Sequence, residues 1–140
     1  MKLKNYDLEY LITFLDELEL SGKESRMRSR FMKLIKEKYD QFKTEHQTIL
    51  TNYSRKDEKG NPIVLSDEKG QRYDIENIQA FQSEFLELIN EDCVIDINSE
   101  RQEMYSVVSK AILECDKVFK GVEADAYDRI CQIFENEELK

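Results

Sequence analysis

Residues 24–53 read ESRMRSRFMKLIKEKYDQFKTEHQTILTNY, and this stretch decides the fold. Its apolar strip recurs at steps of three and four residues, which is the spacing of one face of an α-helix. The strip consists of Met27, Phe31, Leu34, Ile35, Phe42, His46, Ile49 and Tyr53. We therefore predict one helix over about 24–55, with a length of about 45 Å at ~1.5 Å per residue. A globule of this chain length is about 40 Å across, so the helix either kinks, protrudes or packs against a second copy.

Shorter helices are predicted on both sides of this segment. Leucines at steps of three and four indicate a helix over 7–20, and Gly22 ends that pattern because Gly readily takes the positive φ of a helix C-cap. Three more helical patterns follow, at 78–89, 99–119 and 122–134. A capping box that begins at Ser99 marks the start of the second of them. We expect about five helices in all.

A small β-structure is predicted after the long helix. The tetrad Asp-Glu-Lys-Gly occurs at 57–60 and again at 67–70, on either side of a β-prone run at 63–65. Charged turns that end in Gly are typical of a β-hairpin, and the β-prone run 93–97 could pair with 63–65. We predict an α+β fold, mainly α, with a small antiparallel β-hairpin or sheet near 62–75 and 93–97. No linker-like stretch exceeds about ten residues, so a single domain over 1–140 is expected.

Charge is unevenly distributed along the chain. The formal net charge is −9, from 21 Lys and Arg and 30 Asp and Glu. Residues 21–45 carry 8 cations and 4 anions, a net of +4, whereas residues 76–140 carry 6 cations and 16 anions, a net of −10. An anionic surface repels nucleic acid and anionic lipid, so neither is an expected partner. No apolar run approaches the roughly 20 residues that a membrane-spanning helix needs.

Residues that could support catalysis or hold a cofactor are sparse. The only histidine, His46, falls on the apolar strip of the long helix, where a lone His is more often a packing residue than a catalyst. Cys93, Cys115 and Cys131 are odd in number and contain no Cys-x-x-Cys pair, which indicates neither a disulfide framework nor a zinc site. No phosphate-binding, dinucleotide-binding, zinc-protease or serine-hydrolase motif occurs. We predict a protein that is not an enzyme and that uses neither cofactor nor metal.

The most distinctive local feature is a run of cations at the start of the long helix, here called the basic ridge. Its members are Lys23, Arg26, Arg28, Arg30 and Lys33. The ridge either binds anions, as phosphate groups or an acidic partner, or is neutralised by the acidic C-terminal half of the same chain. Nucleic-acid binding through residues 23–38 is a third, less favoured alternative. No interleaved aromatic residues support the stacking of nucleic-acid bases on it. Candidate partner-binding acids near the C-terminus are Glu123, Asp125, Asp128, Glu135 and Glu137.

Four short motifs carry a resemblance to a known family. Residues 20–34, LSGKESRMRSRFMKL, contain a Gly-Lys-x-Ser-Arg-x-Arg turn between two helical patterns. An Asp-Glu-x-Gly-Asn-Pro turn, a Val-Ile-Asp-Ile strand and an Asp-Ala-Tyr-Asp helix start follow at 57–62, 94–97 and 125–128. In this order the motifs resemble an uncharacterised family of tailed-phage and prophage proteins from Gram-positive bacteria, domain of unknown function 1617. The resemblance implies a phage origin and, since the family has no assigned activity, no particular chemistry.

These features predict a non-catalytic phage or prophage protein that acts by binding another protein. We expect an antagonist or modulator of a host defence or replication protein, located in the cytoplasm of the bacterial host cell. The alternative is a virion or tail accessory protein, or an assembly chaperone, that self-associates as a homodimer through the long helix and accompanies the virion. The expected partner is a host factor or a phage structural protein, with no membrane and no nucleic acid involved. Reversing Arg26 and Arg30 to Glu is expected to abolish partner binding and to leave the fold intact.

Overall fold

The structure, a computed structural model, describes all 140 residues. It contains five α-helices and two small antiparallel sheets of two strands each, which confirms the predicted α+β, mainly α fold. In chain order the elements are β1 (Lys2–Lys4), α1 (Leu8–Glu17), α2 (Gly22–Tyr53), β2 (Val64–Asp67), β3 (Gly70–Tyr73), α3 (Ile78–Ile89), β4 (Asp92–Val94), α4 (Gln102–Leu113) and α5 (Gly121–Glu138). Short 3₁₀ turns precede α1 and α4.

The residues group into two compact units. The terminal unit comprises 1–39 and 92–140, and the middle unit comprises 40–91. Helix α2 is continuous over the predicted length and contributes residues to both units. The single domain expected over 1–140 stays a prediction.

The core of the terminal unit follows the helical periodicity of the sequence. Its most deeply buried side chains include Phe14 of α1, Phe31 and Ile35 of α2, Ile112 of α4 and Phe134 of α5. The rings of Phe31 and Phe134 lie 5.8 Å apart, centroid to centroid, in the tilted arrangement that aromatic pairs prefer. Four helices therefore bury one apolar strip each in a common core, and this burial is the main source of stability in the unit.

The strand predicted at 93–97 has a different partner and is shorter than expected. Strand β4 pairs with β1 at the start of the chain, with Leu3 opposite Cys93. The predicted hairpin forms from β2 and β3, in a separate sheet. The predicted pairing with 63–65 is wrong because β2 is exposed at every position and has no face to bury, whereas Leu3, Cys93 and Ile95 are all buried.

The connection between α1 and α2 also differs from the prediction. Helix α1 ends at Glu17, and Leu18 is already extended, with φ −70° and ψ 131°. Gly22 does have a positive φ, +57°, but it lies at the first residue of α2 and does not cap α1. Residues 18–21 thus form an irregular connection between the two helices, extended at Leu18.

Both ends of α4 differ from the prediction. Of Asn98 and Ser99, Asn98 is the cap, and it caps the 3₁₀ turn that precedes α4: its side-chain oxygen accepts a hydrogen bond from the backbone N–H of Arg101 at 3.1 Å. Helix α4 also ends at Leu113, before Phe119, which was predicted to continue it. Phe119 instead stacks on Tyr127 of α5, with ring centroids 4.3 Å apart, and residues 115–120 form an irregular segment.

The middle unit packs residues 40–53 of α2 against α3 through an aromatic layer. Ring centroids are 4.5 Å apart for His46 and Phe85, 5.9 Å for Phe85 and Phe81, and 6.4 Å for Phe81 and Tyr53. His46 therefore lies among aromatic rings as a packing residue. All four rings stay half-buried, so this layer is thinner than the core of the terminal unit.

Candidate functional site

Arg28 differs from the other members of the basic ridge in the groups that its guanidinium contacts. It is half-buried and donates hydrogen bonds to the carbonyl oxygens of Leu15, at 3.1 Å, and Leu18. These carbonyls lie at the C-terminal end of α1, the negative end of the helix dipole, and that of Leu15 also accepts a long backbone hydrogen bond from the C-cap residue Leu18, at 3.4 Å. Arg28 thus stabilises the end of α1 from within the fold.

Lys23 is the one member of the ridge that pairs with the acidic C-terminal half. Its ammonium group hydrogen-bonds the carboxylate of Glu103 at the start of α4, and this bond lowers the pKa of Glu103. Arg26, Arg30 and Lys33 are exposed on α2 and form no ion pair within 4.0 Å. These three are here called the free ridge. Direct ion pairing of the ridge with the chain's own acids is therefore limited to Lys23, while Arg30 acts on the Glu103 carboxylate only by longer-range charge attraction.

The five acids predicted near the C-terminus do not form a common site. Glu137 is half-buried, and it lies 3.1 Å from the Met1 amino group and 3.4 Å from the Lys140 ammonium group. Burial raises the pKa of its carboxyl, but the two cations outweigh that effect and lower it. The other four, on the exposed surface of α5, are Glu123, Asp125, Asp128 and Glu135. None of the five forms an ion pair with a residue of the basic ridge.

A concave site of the terminal unit lies elsewhere, between the α1–α2 connection and the C-terminal end of α4. It has a volume of about 770 Å³, and we call it the acidic groove. Half-buried apolar and sulfur-containing side chains line its inner surface: Leu18, Leu20, Val107, Ala111 and Cys115. Its charged side chains are Glu17, Glu19, Glu24, Lys110, Glu114, Asp116 and Lys117.

Electrostatically the groove has a net negative charge. Five carboxylates face two ammonium groups, a net of −3. Lys117 already has an ion-pair partner within the groove, Glu17. The hydrogen bond between them raises the pKa of Lys117. Glu114 also lies at the C-cap of α4, where the helix dipole adds further negative potential. A cation that enters the groove therefore meets carboxylates without ion-pair partners.

Unpaired backbone groups flank the same groove. Residues 18–21 and 115–120 are irregular, and within them Glu19 and Asp116 make no backbone hydrogen bond. Backbone N–H and C=O groups that are not paired within the fold are available to an incoming main chain. The groove thus combines apolar side chains, carboxylates and backbone groups without backbone hydrogen bonds.

The thiols and the histidine do not form a catalytic arrangement in this groove. His46 belongs to the middle unit, and burial raises the pKa of both Cys93 and Cys131, which disfavours the reactive thiolate. Cys115 lines the groove, where its Sγ accepts a hydrogen bond from the backbone N–H of Lys117 at 3.3 Å. No group of three or more His, Cys, Asp or Glu side chains could hold a metal ion. No helix has both the length and the apolar character needed to cross a membrane.

Comparison with known proteins adds no relative. No protein-family model matches the chain, and no curated protein or solved structure matches it either. The resemblance to the phage family therefore stays a prediction.

The groove itself was missed by the sequence analysis. Its walls come from segments about 90 residues apart in the sequence, so no local motif contains it. One signal was present: Glu17-Leu18-Glu19-Leu20 alternates acidic and apolar residues, a period of two that indicates an extended segment with one acidic and one apolar side.

Proposed function

We propose that this chain is a non-catalytic protein-binding module whose acidic groove takes a cationic, partly apolar segment of a partner protein. The observation that carries the proposal is the joint presence, in one groove of about 770 Å³, of an apolar inner surface and a net charge of −3. Carboxylates pair with Lys and Arg side chains through charge-assisted hydrogen bonds, and apolar side chains supply the burial.

A peptide segment fits this groove better than a small cation does. Leu18 and Leu20 lie on either side of Glu19 in the connection after α1, so a peptide chain lying alongside would meet apolar and acidic side chains in turn. The open backbone of Glu19 and Asp116 offers main-chain hydrogen bonds to the same segment. A lone small cation would use only the carboxylates and leave the apolar surface unburied.

The biological setting follows from the sequence. With the phage origin that the resemblance implies, the partner is a host defence or replication protein, and the chain acts as its antagonist or modulator in the host cytoplasm. Proteins that handle nucleic acid carry basic segments, which are the class of ligand that an acidic groove accepts. The alternative, a self-associating virion accessory or assembly protein, is favoured by the free ridge.

Fluorescence polarisation with a labelled peptide of alternating Lys and Leu tests the proposal. Wild type should bind it, should not bind the matched Glu-Leu peptide, and should lose affinity as salt rises. Glu19→Lys together with Glu114→Lys should weaken binding by about tenfold or more, because both pairs become repulsive. Both residues are exposed, and a cation at the C-cap position of Glu114 favours α4, so the fold should persist.

Two other double variants locate the site. Asp128→Lys with Glu135→Lys makes the same change in charge on α5, outside the groove lining, and should leave affinity within about twofold. Arg26→Glu with Arg30→Glu, the reversal that the sequence analysis expects to abolish partner binding, should not reduce binding of the cationic peptide if the groove, and not the ridge, is the partner site. If the α5 variant loses as much affinity as the groove variant, or if neither loses any, the groove is not the site.

A further inference from the structure

The free ridge is a cationic surface that the proposed function leaves unused. Arg26, Arg30 and Lys33 are spaced by four and three residues, so they lie on one face of α2 within about 11 Å of helix length. All three are exposed and none is in an ion pair. A concentrated, unpaired set of cations on a chain with a net charge of −9 is a complementary surface for an acidic one.

The acidic groove of the same protein has the opposite charge. Its lining has a net charge of −3, and the free ridge has three cations. Contact between two ridges or between two grooves would oppose like charges, which leaves ridge-to-groove contact as the attractive arrangement.

One molecule cannot make this contact within itself. Glu24 lines the groove and Arg26 begins the free ridge, and both lie on α2 two positions apart. Two positions on an α-helix are separated by about 200°, so the two side chains leave the helix on opposite faces. The ridge that enters a groove must therefore come from another molecule.

We propose that the free ridge of one copy docks into the acidic groove of a second copy. This inference rests on the proposed function, since the docked copy occupies the groove that would otherwise take the partner segment. Self-association and partner binding are then mutually exclusive. Because the ridge and the groove lie on opposite faces of α2, two copies cannot make the contact twice with each other, so it does not close at two copies and molecules add head to tail.

The contact should be weak and sensitive to salt, because its charged groups are exposed and screened. Sedimentation velocity over a concentration series measures it on the full chain. We expect the average mass of the wild type to rise steadily with concentration, with no plateau at a dimer, and to return to that of the monomer at high salt.

Charge reversal tests both halves of the contact. Arg26→Glu with Lys33→Glu, and separately Glu19→Lys with Glu114→Lys, should each weaken self-association by about tenfold or more. Lys59→Glu with Lys69→Glu, exposed positions in turns of the middle unit, is the matched control and should associate as wild type does. Circular dichroism verifies that each variant keeps its helical content.

Mixing the two reversed variants gives the decisive result. In the mixture the unchanged ridge of the groove variant can meet the unchanged groove of the ridge variant, and the acidic ridge can meet the basic groove, so the mixture should associate although neither variant does alone. A wild type that stays monomeric up to about 1 mM, a mixture that stays monomeric, or a wild-type mass that stops at a dimer would overturn the inference.

The peptide assay separates this inference from the proposed function. A monomeric wild type that still binds the Lys-Leu peptide through the groove would overturn self-association and leave the proposed function intact. Self-association that depends on ridge and groove, with no peptide binding, would overturn the proposed function instead. If both hold, added peptide should dissociate the assemblies.

Discussion

The two units of this protein differ sharply in how they bury their apolar residues. Of the 21 hydrophobic residues that are buried, only Ile49 and Leu88 lie in the middle unit, and the remaining 19 lie in the terminal unit. In the terminal unit, strips from four helices meet in one core. The middle unit has two helical segments and a hairpin whose strand β2 is wholly exposed. The helical periodicity of the sequence is equally clear in both units. The units differ in the number of helices and strands that cover each apolar strip.

The largest expected loss in the free energy of unfolding comes from a substitution in the core of the terminal unit. Phe134 is fully buried and lies 5.8 Å from Phe31 and 5.7 Å from Tyr105, ring centroid to ring centroid. Phe134→Ala should lower the free energy of unfolding by about 3–5 kcal/mol, since it removes a large ring and leaves a cavity. Urea unfolding followed by circular dichroism measures this. Val122→Ala, on the same helix but 85% exposed, is the control and should have almost no effect.

Alkaline pH should weaken the same core by a smaller amount. The Tyr105 hydroxyl is buried and donates a hydrogen bond to the carbonyl oxygen of Phe134 at 2.6 Å. Burial raises the pKa of Tyr105 from 10.0 to about 12, so the fold favours the neutral phenol. Its contribution to stability is complete below pH ~10 and is lost as the pH rises towards about 12.

Urea unfolding at a series of alkaline pH values measures that loss. Tyr105→Phe cannot ionise, so its stability should fall less steeply over this range than that of the wild type, although it also lacks the hydrogen bond, worth about 1 kcal/mol at neutral pH. Equal slopes for the two proteins would assign the alkaline loss to other groups.

The smallest of these losses in the free energy of unfolding is expected from a substitution in the middle unit. Phe85 is half-buried between His46 and Phe81, so Phe85→Ala should cost about 1–2 kcal/mol, less than Phe134→Ala. Hydrogen exchange of the amides of α3 should show opening at a lower free energy than that of the terminal core. An equal cost for the two substitutions would remove the contrast between the units. Amide exchange at the same opening free energy in α3 and in the terminal core would favour the predicted single domain.

Local features of the sequence predicted the elements well because their causes are local. The uninterrupted strip over 24–53 gave a helix that the structure places at Gly22–Tyr53, and the two Gly-terminated tetrads gave the hairpin. The partner of β4 could not be found in the same way. Strand β1 has three residues and a single buried side chain, Leu3, so its own sequence has almost no period-two signal.

The site was harder to predict than the fold because charge in a sequence does not show what each group contacts. Arg28 has the same local pattern as Arg26, yet it is bound to the end of α1 while Arg26 is exposed. The groove lies at the C-terminal end of α4, which comes at Leu113, and Phe119 beyond that end contacts Tyr127 of α5. That is a tertiary contact, and a helical pattern that continues through 119 conceals it.

Chemical-shift mapping with the Lys-Leu peptide tests the central claim most directly. The protein is labelled with ¹⁵N, and the amide shifts are followed as unlabelled peptide is added. The account predicts that the largest shifts fall within 17–24 and 107–117, and that they vanish in the Glu19→Lys, Glu114→Lys variant. Shifts centred on α5 or on the middle unit, or no shifts at peptide saturation, would contradict it.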